Sequence, residues 1–226
     1  MPARRHLTVA ATLLVVDAAA ALAGARTTLD RRAVLSAGGA SSAALFVAPW
    51  SLSPAPAVAA PTEWKDSVNK EFKYELAYPS DWTDAGKPVK THLHETLISG
   101  GTGGVKIGIT IDPVKIDSLE AFGTLDQTTE RVLGVEKTRD GVESVTLRSN
   151  AAEAADESAG TPSYYTIEWL TVSSRGTKVF SCKYCIANQK LYVLQAQAKA
   201  DAFDGDDSTV RDTLRQIVAS FRVRRA

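Results

Sequence analysis

Three runs in the second half of the chain, 163–173, 178–187 and 190–199, leave it few folding options. Each alternates apolar, aromatic and β-branched side chains with polar ones over about the length of a strand. The last two are separated only by Asn188-Gln189, residue types that suit a tight turn. Parallel strands need a crossover of roughly a dozen residues or more, so strands joined this closely pair antiparallel.

Other segments add to that sheet. Residues 72–78 alternate and stop at the turn cluster Pro79-Ser80-Asp81. Leu97-Ile98 leads through a glycine-rich run, 100–104, into the alternating segment 105–111, which predicts a hairpin. Residues 142–148 form a further predicted strand. Helical spacing replaces alternation at 118–133, with Leu119, Phe122, Leu125, Thr129 and Val132 in line and Ser118 as N-cap. It returns at 208–221, where Val210, Leu214, Ile217, Val218 and Phe221 share one face. Residues 149–162, rich in Ala, Glu, Ser and Gly, read as a mobile loop. The expected class is α+β, an antiparallel sheet covered by helices.

Residues 1–60 have a different composition: Ala, Ser, Leu, Val and Arg, no Lys, and only Asp17 and Asp30 as acids. Arg31-Arg32 precedes a weakly apolar stretch, then Pro49, Pro54 and Pro56, then Ala57-Val58-Ala59-Ala60. A charged region, an apolar region and an A-x-A site make up a cleavable export signal. Paired arginines before a mild apolar region point to the twin-arginine route. Cleavage is expected after Ala59, with Ala57 and Ala59 forming the recognition site and Ala60 the nearest alternative. About thirty residues precede the arginines, which favours a two-step address, into a plastid and then into the thylakoid lumen. Residues 7–16 are apolar enough to resemble a secretory segment, as a plastid of secondary origin would require. The expected organisation is a targeting segment, 1–60, and one domain, 61–226.

The full chain has 26 basic and 26 acidic side chains, a balance that gives no support to nucleic-acid binding. Lys65, Lys70, Lys73, Lys87 and Lys90 form a basic stretch at the front of the domain, which could meet an acidic membrane-protein surface or be an ordinary solvated face. His92 and His94, two apart on a predicted strand, would put both imidazoles on one face at a spacing able to bind a transition metal. No third ligand is visible, and surface histidines are the plainer reading. Asp201, Asp204, Asp206 and Asp207 gather before the last helix. Their spacing does not match an EF-hand, so Asp204 and Asp206 are candidates for a weak calcium site only, against a turn-forming role.

Cys182-Lys183-Tyr184-Cys185 is a C-x-x-C pair inside a predicted strand, not at a helix N-terminus. Period two puts its cysteines on opposite faces, so one packing cysteine and one exposed thiol are expected. Redox chemistry at Cys182 and Cys185 is the alternative. Neither phosphate loop nor nucleophile elbow nor dinucleotide fingerprint occurs in the chain, and nothing in the sequence proposes an enzyme.

Three blocks together resemble the PsbP-domain proteins of the thylakoid lumen: residues 72–82 (FKYELAYPSDW), 163–171 (SYYTIEWLT), and 188–223, where KLYVLQAQAK precedes a helix ending in SFRV. The resemblance covers about residues 63–224. It implies an α-β-α sandwich about a central antiparallel sheet and no catalysis. It further implies peripheral association with photosystem II in support of the oxygen-evolving complex, where relatives help retain calcium and chloride. Calcium is the one cofactor it suggests. Other relatives are assembly or repair factors for photosystem II, photosystem I or the chloroplast NADH-dehydrogenase-like complex, which is the competing expectation. A histidine of the oxygen-evolving subunits at the start of the penultimate strand aligns with Val179, which has no metal-binding atom.

Overall fold

The computed structural model describes residues 63–84, 92–207 and 209–225. The twin-arginine pair, the cleavage site, Lys87 and Lys90 lie outside them. In chain order the elements are β1 (Trp64–Asn69), β2 (Tyr74–Pro79), β3 (Thr83–Asp84), β4 (His94–Ser99), β5 (Lys106–Pro113), α1 (Leu119–Phe122) and α2 (Leu125–Lys137). They continue with β6 (Val142–Glu153), β7 (Tyr164–Ser173), β8 (Gly176–Ala187), β9 (Lys190–Lys199), α3 (Ala200–Asp204), α4 (Thr209–Ser220) and β10 (Arg222–Val223).

Seven strands form one antiparallel sheet in the order β3-β4-β5-β9-β8-β7-β6, and β1, β2 and β10 form a second. One cross-sheet row runs Thr96, Ile109, Leu194, Lys183, Thr166, and the row beside it runs Leu97, Gly108, Gln195, Cys182, Ile167. Neighbouring rows point to opposite faces. The first face is apolar: Ile107, Ile109, Ile111, Leu194 and Ala196 share a core with Leu214 and Ile217 of the last helix and with Phe221 just after it, and all eight are 0% exposed. Ala196 and Ala198 are small enough to let α4 lie close to β9. The small sheet joins this layer through Tyr74, Leu76 and Val223. On the other face α2 lies over β6 and β7. Helices on both faces of an antiparallel sheet give the expected α-β-α sandwich.

Local chemistry explains the element ends. Asn188 and Gln189 both have positive φ, 52° and 56°, the backbone a two-residue hairpin needs. Ser118 Oγ accepts the Ala121 N–H as the expected cap. The predicted helix 118–133 is nevertheless two helices. Gly123 closes α1, and Thr124 with Gln127 forms a capping box that restarts the chain as α2.

The expected mobile loop at 149–162 is a correction of larger size. Strand β6 continues to Glu153, with Ala152 opposite Tyr165 and Glu153 opposite Tyr164. An edge strand needs one hydrogen-bonded neighbour and no apolar alternation, so Ala, Asn and Glu serve there. The rest of the segment is tied by paired hydrogen bonds between Asp156 and Thr161 and by Ser158 on the Asp156 carboxylate. Strands β1, β3 and β10 and helix α3 were not among the predicted elements.

Candidate functional site

The basic stretch divides by role. Lys65 donates to the carbonyls of Ser80 (3.1 Å) and Trp82 (2.8 Å), and its ammonium lies 4.7 Å from the Tyr78 ring centre. It therefore fastens β1 to the turn after β2. Lys70 and Lys73 are exposed in the β1–β2 turn, where Lys73 has φ 54°.

The two histidines do not share a strand face, which corrects the expected pairing. β4 begins at His94, so His92 lies outside the alternation. Its Nδ1 is 2.8 Å from Asp112 Oδ2, while its Nε2 is buried with no partner. His94 Nε2 lies 3.0 Å from Tyr74 Oη and 3.1 Å from Thr96 Oγ1, and the ring stacks on Phe72. Burial lowers the His94 pKa from its ordinary value, with the Glu71 carboxylate acting in the opposite direction.

The acidic cluster is similarly engaged. Both carboxylate oxygens of Asp204 sit 2.6 Å from the Arg148 guanidinium, whose hydrogen bonds hold its pKa below the usual range. Asp207 accepts the Thr209 N–H at the start of α4, and Asp201 accepts that of Ala202 at the start of α3. Asp206 is exposed. Among the described residues no group of three or more His, Cys, Asp or Glu is arranged to hold a metal ion. Val179, where the resemblance places a histidine, is fully buried in the apolar core.

Both thiols are buried, at 1% exposure for Cys182 and 0% for Cys185, so the expected exposed thiol is corrected. They are unpaired and take opposite faces, as period two requires: Cys185 belongs to the core beneath α4, and Cys182 faces the α2 side. Burial pushes both thiol pKa values far up, the reverse of the thiolate that exchange chemistry uses.

Sequence reasoning passed over charges at inward strand positions. Glu168 accepts two hydrogen bonds from Arg215, at 3.1 and 2.9 Å, and Lys183 Nζ lies 2.8 Å from Glu153 Oε1. Charged side chains at core-facing positions of a period-two run were the available signal.

A sequence model of the PsbP family matches residues 62–223. The chain belongs to the PsbP family. A curated relative, "PsbP domain-containing protein 2, chloroplastic" of Arabidopsis thaliana, is 28% identical over 150 residues, which is 66% of this chain. This chain spans 61% of that relative's length. The solution structure of cyanobacterial PsbP (CyanoP) from Synechocystis sp. PCC 6803 superposes with a TM-score of 0.56 at 17% identity, covering 76% of this chain and 98% of that one. The Saccharomyces cerevisiae Ran-binding protein Mog1p gives a TM-score of 0.45 at 11% identity, over 71% of this chain and 95% of that one.

The blocks that carry the PsbP resemblance each close a packing joint. Trp82 is 3% exposed and lies against Gly100, where an added Cβ would fall 2.4 Å from the indole Cγ. Of the paired tyrosines, Tyr164 exchanges hydrogen bonds with Val223 N and O, while Tyr165 donates to Gly123 O. One tyrosine thus ties down the C-terminal strand, and its neighbour ties the opposite helical layer. Ser220 Oγ accepts the Ala77 N–H, fastening the end of α4 to β2.

Proposed function

We propose that this chain is a non-enzymatic accessory protein of the thylakoid lumen that associates peripherally with photosystem II and supports its oxygen-evolving complex. Membership in the PsbP family over 62–223 carries this reading, and the chloroplastic designation of the Arabidopsis relative agrees with it. Residues 1–60 would supply the import address through Arg31-Arg32, with 61–226 the working domain. No helix of the described residues is long and apolar enough to cross a membrane, so the proposed contact is with a complex rather than through the bilayer. Any support of calcium retention is assigned to docking, since Asp204 is occupied by Arg148 and the two histidines have separate partners.

The test is affinity capture of the tagged protein from mildly solubilised thylakoids, followed by mass spectrometry. Intact photosystem II with its lumenal subunits, in near-equal amount, is the expected result. Recovery of partial complexes or of photosystem I would replace this reading with an assembly or repair role.

A further inference from the structure

Four segments distant in sequence meet at one end of the domain. Arg224 N donates to Lys73 O at 2.9 Å, and the Asn188 side-chain amide donates to Arg224 O at 3.1 Å. Tyr192 Oη donates to Phe72 O, and Val114 N donates to Gln189 O at 2.9 Å. The β1–β2 turn, the chain after β5, the β8–β9 turn and the C-terminal tail are thereby held side by side. Residues 70–73, 113–115, 188–190 and 224–225 contain six cations, Lys70, Lys73, Lys115, Lys190, Arg224 and Arg225, against a single carboxylate, Glu71.

That concentration runs against the rest of the domain. Residues 61–226 hold 21 basic and 24 acidic side chains, so the remainder of the domain is strongly acidic. Lys70, Lys73, Lys115, Arg224 and Arg225 are exposed. Among the described residues no carboxylate is ion-paired with Lys70, Lys73 or Lys115, Arg224 makes only a 3.4 Å contact to the half-exposed Glu75, and Arg225 has the exposed Glu120 carboxylate in its field but no ion pair. Cations only partly neutralised on a fixed backbone frame attract an opposite field and orient it.

We propose that this basic end is the docking surface for an acidic protein face, with the C-terminal arginines and the β1–β2 turn lysines as its centre. The proposal deepens the accessory-protein reading by naming the contact surface. It also moves that surface from the front strand, where Lys65 is engaged within the fold, to a site assembled from both ends of the domain. Among the described residues none of the exposed large apolar side chains lies within the four segments, although Val68 and Leu93 border the β1–β2 turn, so a bilayer surface is the competing occupant that the vesicle arm of the test separates. Peripheral anchoring to lipid combines basic residues with inserted apolar ones.

The experiment compares the full chain with two variants of equal charge change, Lys70→Glu/Arg225→Glu and Lys137→Glu/Lys199→Glu, all with unfolding midpoints checked first. Each is titrated onto salt-washed thylakoid membranes, onto the same membranes shaved with protease, and onto phosphatidylglycerol vesicles. The expected result at low salt is protease-sensitive binding that weakens on the order of tenfold for Lys70→Glu/Arg225→Glu and less than about twofold for the other variant. Equal weakening of both variants, or of neither, overturns the proposal. Equal binding to shaved membranes and vesicles overturns it in favour of a lipid surface. If the expected pattern holds but the protease-sensitive partner is not a photosystem II subunit, the docking surface stands and the photosystem II reading falls.

Discussion

The two helical layers are held to the same sheet by different chemistry. Above one face, α4 presents Leu214, Ile217 and Val218, followed by Phe221 at its end, to a bed of isoleucine, leucine and alanine. Above the other, α2 buries Thr128, Thr129, Val132 and Glu136. There the Thr171 hydroxyl donates to Glu136 at 3.0 Å and the Asn150 amide donates to Thr129 at 3.1 Å. The apolar layer draws on area removed from water, roughly 25 cal/mol per Å². The α2 side also buries Ile167, Trp169, Phe180 and Cys182, and adds to that burial matched hydrogen bonds, each worth on the order of 1 kcal/mol net and more when one partner is removed. Of the two helices, α4 is therefore expected to contribute more through apolar burial and α2 more through hydrogen bonds.

The largest effect should come from the apolar side. Phe221→Ala removes a fully buried ring that contacts Tyr74 at a centroid distance of 6.0 Å, and is expected to cost about 3–5 kcal/mol in urea unfolding. On the polar side, Glu136→Ala strands the Thr171 hydroxyl and frees Arg139, for a smaller loss of about 1–3 kcal/mol. Adding Thr171→Val should recover part of that loss, because the unmatched hydroxyl goes with it. If Phe221→Ala costs no more than Glu136→Ala, the contrast between the layers is wrong.

This contrast also explains what the sequence made legible. The α4 layer writes itself as spaced apolar residues, so the helix, strands β5, β7, β8 and β9, and the class of fold could all be read. Helix α2 itself buries mainly threonine and glutamate against the Ile167, Trp169 and Phe180 side of the sheet, so its apolar signal is thinner than that of α4, and the break at Gly123 was missed there. Edge strand β6 was cut short for the same reason: Ser149, Asn150, Ala151 and Ala152 pair with β7 through backbone groups that every residue type possesses. The candidate sites fared differently. Spacing suggested partners for His92, His94 and Asp204, but their contacts are with Asp112, Tyr74 and Arg148, residues 20 to 56 positions away. Such pairings depend on register between strands, which local pattern does not encode. The basic end was half visible in Lys70 and Lys73, and its C-terminal half required the tail's hydrogen bonds to place it.

The smallest expected effect tests the apolar layer at its one anomaly. Lys183 stands in the row of Ile109 and Leu194 with a side chain 0% exposed, 2.8 Å from Glu153 and 4.4 Å above the Tyr164 ring. Glu153 remains about half exposed, so water can take over its solvation if the lysine is removed. Replacing a buried charge by an apolar side chain of similar volume is often neutral, and Lys183→Met should fall within about 1 kcal/mol of the parent at pH 7. The pH dependence carries the sharper signal. Burial is the main cause lowering the Lys183 pKa from 10.5, with Glu153 opposing it. Between that lowered value and 10.5 the unfolded chain binds more protons than the folded one, so stability contributed by this group rises with pH through the window. Tyr164, pushed up to about 12 by burial and lying under the Lys183 ammonium, stays protonated in folded and unfolded chains below about pH 9, so the rise is read first in that part of the window. The parent should therefore gain on Lys183→Met as pH is raised toward 10.5 in urea titrations. A constant difference across that range would mean the ammonium is better solvated than its position among Ile109, Leu194 and Tyr164 allows.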